Sequence, residues 1–467
     1  MAPQPDLDKE NLTVTLRSDD VHRTVLLAAH DGTQPTLDAA IAAHDRTGIV
    51  ICADKQTCRD ASGQAAILTA VVTARRAFGT VTVHVEDPAA IPTAGIFKGQ
   101  GLADAVASQG ARLLPAAAPG TAGQAWPVLL LGPGTPVPPG KHLAALRASW
   151  RGWTARVAPA GLPGETAGTA CVLAPIAAAA LGVSEAFGAV RSAPGSEAGY
   201  RGISLNLWNP GADHHDNGPD LSHAPAAWWL VGLGHLGQAS AWVISWLPYT
   251  DPSGIEAVLQ DTGRTTPANY STGVLTPEGS DGVPKTRLVA AALEKAGFTT
   301  RIIERRIGSD LRAAPGECHV ALLGVDNLPT RRLISGTGWT LAIDTGLGDQ
   351  PGNFDSILIH RFPGSRPSDT IPAWQPREPH AVTIPQTPAF ADLQEHHDPC
   401  GVTELAGKAV GAAFVGVTAG CLAIAEALRE LHGGTGHDTL LLSLTTTTAR
   451  TSPGDQTVRV PSARLKL

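Results

Sequence analysis

The stretch Trp228 to Asp261, WWLVGLGHLGQASAWVISWLPYTDPSGIEAVLQD, leaves this chain few folds to choose from. An apolar run from Trp228 to Val231 leads into Gly232, Gly234 and Gly237 at G-x-G-x-x-G spacing, then an apolar helical segment, then a second short apolar run closing on Asp261. Strand, tight turn, helix and strand in that order predict a nucleotide-binding βαβ unit. The first two glycines let the backbone turn sharply and approach a phosphate, the third lets the helix pack on the strand, and the helix N-terminus offers unpaired N–H groups to an anion. The acid ending the second strand, Asp261, is placed to hydrogen-bond a ribose hydroxyl. The glycines alone would equally suit a purely structural turn.

At 467 residues there is room for two to three domains and a sizeable core. A formal charge of -7, only 16% charged residues and no basic tract exclude a nucleic-acid binder. The six cysteines are widely spaced, with no C-x-x-C pair, and the N-terminus shows no targeting pattern, so a reducing, cytoplasmic compartment is expected. The membrane candidates, Ala409 to Leu428 and the weaker Ala174 to Phe187, are short or interrupted, by Glu426 in the first case; both read as buried helices.

Elements recur in the same order in both halves of the chain. IVICAD with an Ala-rich helix, Gly63 to Phe78, and VTVHVED, Val81 to Asp87, parallels the central stretch. Val128 to Leu131 with Gly132-Pro133-Gly134 parallels Val320 to Gly324 with Val325-Asp326-Asn327, each followed by a helical segment and a strand, Trp153 to Val157 and Trp339 to Ile343. Val172 to Val190 parallels Ala413 to Leu431. Four parallels in one order predict an α/β fold of two Rossmann-like doubly wound units in one chain, a pseudo-dimer. The expected boundaries are a first unit over 1–200, a linker over 201–225, a second unit over 226–432 and a small β appendage over 433–467. Two unrelated α/β halves are the alternative. In the first unit the turn after the strand is Ala53-Asp54-Lys55-Gln56-Thr57, without glycine, so only the second unit is expected to carry a nucleotide site. Residues 1–45 give a strand near Leu12 to Leu16 and a helical pattern near Thr36 to His44. His214-His215-Asp216 in the linker reads as a solvated loop rather than a metal site.

Beyond Asp261 the second unit carries charges that converge on one sheet edge. A polar loop with Arg264 and Asn269 leads to Gly282-Val283-Pro284-Lys285, whose lysine opens a helix and can reach phosphates on the glycine turn. Asp326 falls just past a strand's carboxyl end, where a carboxylate can hold Mg2+.

These pieces together, with DNLPTR from Asp326 to Arg331, IDTG from Ile343 to Gly346 and the late helix ending AIAEAL, resemble the ubiquitin-activating-enzyme-like adenylyltransferases of the ThiF and MoeB type over about Trp228 to Leu431. The resemblance implies ATP on Gly232, Gly234 and Gly237, ribose contact by Asp261, phosphate contact by Asn269 and Lys285, and Mg2+ on Asp326. The substrate implied is the C-terminal carboxylate of a small protein or peptide, activated as its acyl-adenylate. An inactive half paired with an active one in a single chain also fits, and leaves room for a further homodimer. Residues 364–400 sit where the family has a crossover loop over the substrate tail. Cys400 closes that loop and could accept the acyl group as a thioester, or could be an incidental thiol. His396 and His397 beside it have no assigned role.

Two departures stand out. Thr272 and Gly273 replace the Arg and Gln usual after the loop asparagine, so a γ-phosphate contact is missing unless Arg264 supplies it, and the zinc-binding cysteine pairs of many members are absent. The competing expectations are a non-catalytic scaffold that kept this fold and an NAD-dependent oxidoreductase, the latter resting on the glycine turn and Asp261 alone.

Overall fold

In a computed structural model the protein is described over residues 16–466, apart from 116–124, 163, 165–170, 194, 212–216, 315–316, 318, 349, 377–380 and 447. Two sheets with the same strand order carry the fold. The first runs β3-β2-β1-β4-β5-β6-β7, formed by β1 (Gly48–Ala53), β2 (Thr80–Val85), β3 (Arg112–Leu113), β4 (Val128–Leu131), β5 (Ala145–Arg151), β6 (Thr154–Pro159) and β7 (Ile203–Asn206). The small strand β8 (His223–Pro225) leads into the second. That sheet runs β11-β10-β9-β12-β13-β14-β15-β16, from β9 (Ala227–Val231), β10 (Glu256–Gln260), β11 (Thr299–Ile303), β12 (Val320–Leu323), β13 (Leu341–Leu347), β14 (Ser356–Phe362), β15 (His437–Ser443) and β16 (Arg450–Pro453). In each the first five strands are parallel and the rest antiparallel. The duplication expected from sequence is therefore present over seven strands, with β16 an additional edge strand of the second sheet.

The helices of the first half are α1 (Arg23–His30), α2 (Leu37–Arg46), α3 (Lys55–Arg59), α4 (Ala61–Ala74), α5 (Leu102–Ser108) and α6 (Leu173–Arg191). Those of the second are α7 (His235–Ser245), α8 (Lys285–Lys295), α9 (Leu328–Arg332), α10 (Pro388–His396), α11 (Pro399–Ala406) and α12 (Ala413–Leu431). The two 19-residue helices α6 and α12 are apolar nearly all round because each is covered on nearly every side. They pack on each other, α6 also on α4 and β5, and α12 on α7, so one core runs through both halves. Phe187 and Phe414 meet across this layer with ring centroids 5.5 Å apart, and the Trp242 indole donates to Thr69 Oγ1 at 3.0 Å. Length and apolarity would let α6 cross a membrane, yet 83% of it is buried inside the protein. Glu426, which interrupts α12, is buried against Arg429 and takes two hydrogen bonds from His437.

Several expected boundaries move. The counterpart of β13 is β5 and not the strand near Trp153, and no helix intervenes between β4 and β5; Trp153 to Val157 lies at the start of β6, the counterpart of β14. The expected linker 201–225 gives β7 to the first sheet and β8 to a two-stranded pair with β17 (Ser462–Arg464). The tail is no separate appendage, since β15 pairs with β14 inside the second sheet. The segment 364–400 contains helical turns and α10, and α10 and α11 pack on α1 through Leu26, Phe390, Leu393 and Leu405. The strand expected near Leu12 to Leu16 and the His214-His215-Asp216 run fall largely or wholly outside the described residues.

Because α12 shares its apolar surface with α6, residues 224–467 expressed alone should aggregate or unfold without cooperativity. A soluble second half with a sharp urea transition would contradict this.

Candidate functional site

The glycine turn sits at the carboxyl end of β9, where the strand order reverses between β9 and β12. Gly232 has φ +78°, and a Cβ there would lie 2.8 Å from the Gly324 carbonyl oxygen; a Cβ on Gly237 would lie 2.1 Å from the Gly232 carbonyl oxygen. Both glycines are demanded by the protein's own backbone. Gly234 differs, since its Cβ would meet only the Lys285 ammonium, 4.0 Å away. It also opens α7 with no side-chain cap, leaving first-turn N–H groups to a ligand.

Asp261 braces this turn. One carboxylate oxygen accepts from the Leu233 N–H at 2.5 Å and the other from the Gly263 N–H at 2.6 Å, each retaining a lone pair. Lys285 starts α8 and ties its backbone N–H to the Gly263 carbonyl at 3.0 Å. A Cβ on Gly263 would come within 3.0 Å of Asp261 Oδ1 and 3.5 Å of Lys285 Nζ, so Gly263, Gly234, Asp261 and the lysine nitrogen converge. Among the described residues no carboxylate oxygen lies within 4.0 Å of that nitrogen.

The other expected residues are placed less directly. Asn269 lies in a 3-10 turn, Pro267–Ser271, where its Oδ1 accepts the Thr266 N–H at 3.0 Å, which leaves the amide nitrogen for a ligand. Arg264 is exposed and donates to the Gly282 carbonyl at 2.6 Å, bracing the approach to Lys285. Asp326 is exposed, three residues beyond β12, while its neighbours Gly324 and Val325 touch Gly232. No group of three metal-ligating side chains occurs among the described residues, so Asp326 could hold Mg2+ only alongside phosphate oxygens and water, the usual habit of that ion.

Three further residues stand out here to which sequence reasoning gave no role. Gln238, wholly buried on α7, fills the space a side chain at position 273 would need: a Cβ on Gly273 would lie 2.5 Å from Gln238 Oε1. His235 points away from the turn to the Ala412 carbonyl at 3.0 Å, and burial lowers its pKa to about 4, so it is neutral. Asp344, of the IDTG run, is fully buried with neither oxygen hydrogen-bonded. Arg331 Nε lies 3.3 Å from it but directs its N–H to the Val325 carbonyl at 3.0 Å. Burial pushes Asp344 up to about 7 against the pull of Arg331, while His360, opposite it on β14, is lowered by burial and then by Arg331 to about 4. Burial of this kind is invisible in a single sequence.

Cys400 is the second residue of α11 and exposed, in a hollow lined by Val382, Pro399, Thr403, Glu404, Gly407 and Lys408, none of them from the glycine turn. His396 instead contacts the Asp392 carbonyl on its own helix at 2.9 Å. A cavity of about 720 Å3 lies elsewhere, at the matching edge of the first sheet beside Asp54, Gly134, Trp150 and Trp246. Asp54 and Asp60 there cap α3 and α4, so the helix ends that would meet a phosphate are already occupied.

Comparison with known proteins agrees on the class. The BilD N-terminal domain model matches residues 48–207 and the BilD C-terminal domain model residues 224–434. A protein of Collimonas sp. (strain OK412), the bacterial E1-like protein BilD, is 36% identical over 430 residues, 91% of each chain. This chain belongs to the BilD family of bacterial E1-like proteins. Among solved structures, E. coli MccB with ATP aligns at 14% identity and a TM-score of 0.32, over 50% of this chain and 65%, under two thirds, of that one. MccB with MccA-N7isoASN aligns at 13% identity and 0.32 over 50% and 66%. Likeness that low places no residue of this chain.

Asp344 gives a pH signature. Its pKa is raised in the fold, so the stability it contributes is whole below the ordinary value of 3.8 and is lost as pH rises through about 7. The depressed His360 works oppositely, contributing above 6.5 and losing that as pH falls toward 4. Asp344→Asn, which cannot ionise, should therefore gain on the order of 1–3 kcal/mol over wild type between pH 5 and pH 8 in urea unfolding. An identical pH dependence in both proteins would refute the buried-carboxyl account.

Proposed function

We propose that the protein activates the C-terminal carboxylate of a small protein or peptide by ATP-dependent adenylation at the second sheet, in the manner of the ThiF and MoeB type. The observation that carries this reading is the uncountered Lys285 ammonium held beside Gly234 and Asp261. A buried-edge cation without a carboxylate partner, facing a capless helix start, suits a polyphosphate. The E1-like relative supports the same class. Gly232, Gly234 and Gly237 would admit the phosphates, Asp261 would take a ribose hydroxyl, Asn269 and Lys285 would contact phosphate oxygens, and Asp326 would hold Mg2+. Arg264, tied to Gly282, would keep the approach to Lys285 in place. When bound, the cation supplies charge neutralisation for the departing pyrophosphate.

In the reaction a carboxylate oxygen attacks the α-phosphorus, the bond from that phosphorus to the bridging oxygen breaks, and pyrophosphate leaves with the electron pair. No proton moves, so positioning and charge stabilisation suffice. An oxidoreductase reading gives Lys285 and Asp326 no task. Acyl transfer to a thiol would follow by attack of a thiolate on the acyl carbonyl with release of AMP. Cys400 is the candidate because the other four described cysteines are buried, with Cys52 and Cys171 pushed by burial to about 12.

Lys285→Ala should weaken Mg-ATP binding by about tenfold or more in calorimetry, the loss of one charge-assisted contact worth roughly 1.5–3 kcal/mol. Asp326→Ala should abolish the Mg2+ dependence of that binding. Unchanged affinity and metal dependence would overturn the site. Under native conditions iodoacetamide should modify Cys400 before any of the four buried thiols, read by peptide mass spectrometry; a thiol-labile acyl adduct lost in Cys400→Ala would establish transfer, and undiminished adduct would remove Cys400 from the reaction.

A further inference from the structure

The loop that carries Asn269 is gripped from the half whose first strand ends in a turn without glycine, and we propose that Arg76 is a positioning residue for the nucleotide site of the other half. The proposal rests on the adenylation reading. Arg76 lies just beyond α4 and is 2% exposed. Its Nε donates to the Gly273 carbonyl at 2.9 Å, one terminal nitrogen to the Thr276 carbonyl at 3.0 Å and the other to Val72 at 2.8 Å, while the guanidinium lies 5.2 Å from the Tyr270 ring centroid. No carboxylate pairs with it among the described residues.

The same loop is bolted from its far side. Gln238 donates from Nε2 to the Leu233 carbonyl of the glycine turn at 3.3 Å, and its Oε1 accepts from the Leu275 N–H and the Thr276 hydroxyl, both at 3.0 Å. Residues 273–276 are thus held between Arg76 of one half and the phosphate turn of the other. The clamp reaches Asn269 directly, since the Gly273 N–H donates to the Asn269 carbonyl at 2.8 Å. Two more first-half contacts land on this loop: Ser271 Oγ accepts the Arg23 N–H at 3.1 Å, and the Tyr270 hydroxyl donates to the Arg75 carbonyl at 3.2 Å.

Mere adhesion between halves would be served better by an apolar side chain, because burying a guanidinium without a counter-ion carries a large desolvation penalty. What arginine adds is direction: a planar fork fixes two carbonyls at once. The first half thereby sets the geometry of the loop that carries Asn269 in the second.

The test uses the full chain and three variants: Arg76→Met, which keeps length but removes the donors, Arg76→Lys, and Gly273→Ala. Hydrogen–deuterium exchange over 269–276 without nucleotide, Mg-ATP affinity by calorimetry and the urea midpoint are measured for each. Arg76→Met should retain a cooperative transition, quicken exchange at Gly273, Leu275 and Thr276 by about tenfold and weaken Mg-ATP by about tenfold, with Arg76→Lys recovering part of both. Exchange and affinity equal to wild type would overturn the proposal. Should Arg76→Met fail to fold, Gly273→Ala disturbs the same turn with Arg76 in place, and unchanged affinity there overturns it equally. A wild type that binds no Mg-ATP would sink the adenylation reading, and the exchange comparison, which needs no nucleotide, would still decide whether Arg76 holds the loop.

Discussion

Two sheets share one layer of helices, and every other feature depends on that sharing. The faces of α6 and α12 that turn away from their own sheets are as apolar as those that face them, so each finds its cover only on the other half. The first half has the same strand, helix and reversal of strand order in β1, α4 and β4, and the turn after β1 is a capped helix start at Asp54. Its α4 end supplies Arg75 and Arg76 to the loop next door.

The site combines two kinds of glycine. Gly232 and Gly237 are small because backbone lies against them, a packing demand met whether or not nucleotide binds. Gly234 and Gly263 are small beside Asp261 and Lys285, side chains rather than backbone. Gly273 belongs with neither, since the side chain it lacks is replaced by that of Gln238. The departure at 273 is thus matched by Gln238 in the loop's support.

How much could be read from sequence follows from how local each signal is. The glycine turn, the buried parallel strands and the helices α6 and α12 declared themselves through spacing and unbroken apolar runs. Strand β5, ALRASWR, alternates too irregularly and follows a Pro- and Gly-rich loop, so its role went to the next strand; β7, four residues between turns, was absorbed into a linker. Helices α10 and α11 were hidden by brevity, although Thr387-Pro388 and Asp398-Pro399 each spell a capping residue followed by a first-turn proline. The positions of Lys285 at the start of α8 and Asp326 beyond β12 were legible because motif and element end coincide. Arg76 and Gln238 were not, since they meet the same turn from points 162 residues apart and nothing in either neighbourhood announces it.

The proposed function requires nucleotide on the second sheet and not in the cavity between Asp54, Gly134 and Trp246. Photolabelling with 8-azido-ATP, followed by peptide mapping, reads this directly. Adducts confined to peptides spanning the glycine turn and the Asn269 to Lys285 loop, suppressed by excess ATP, are the predicted result. Adducts competed by ATP on the peptides around Asp54 to Ser62 or Pro133 to Trp150 would contradict it.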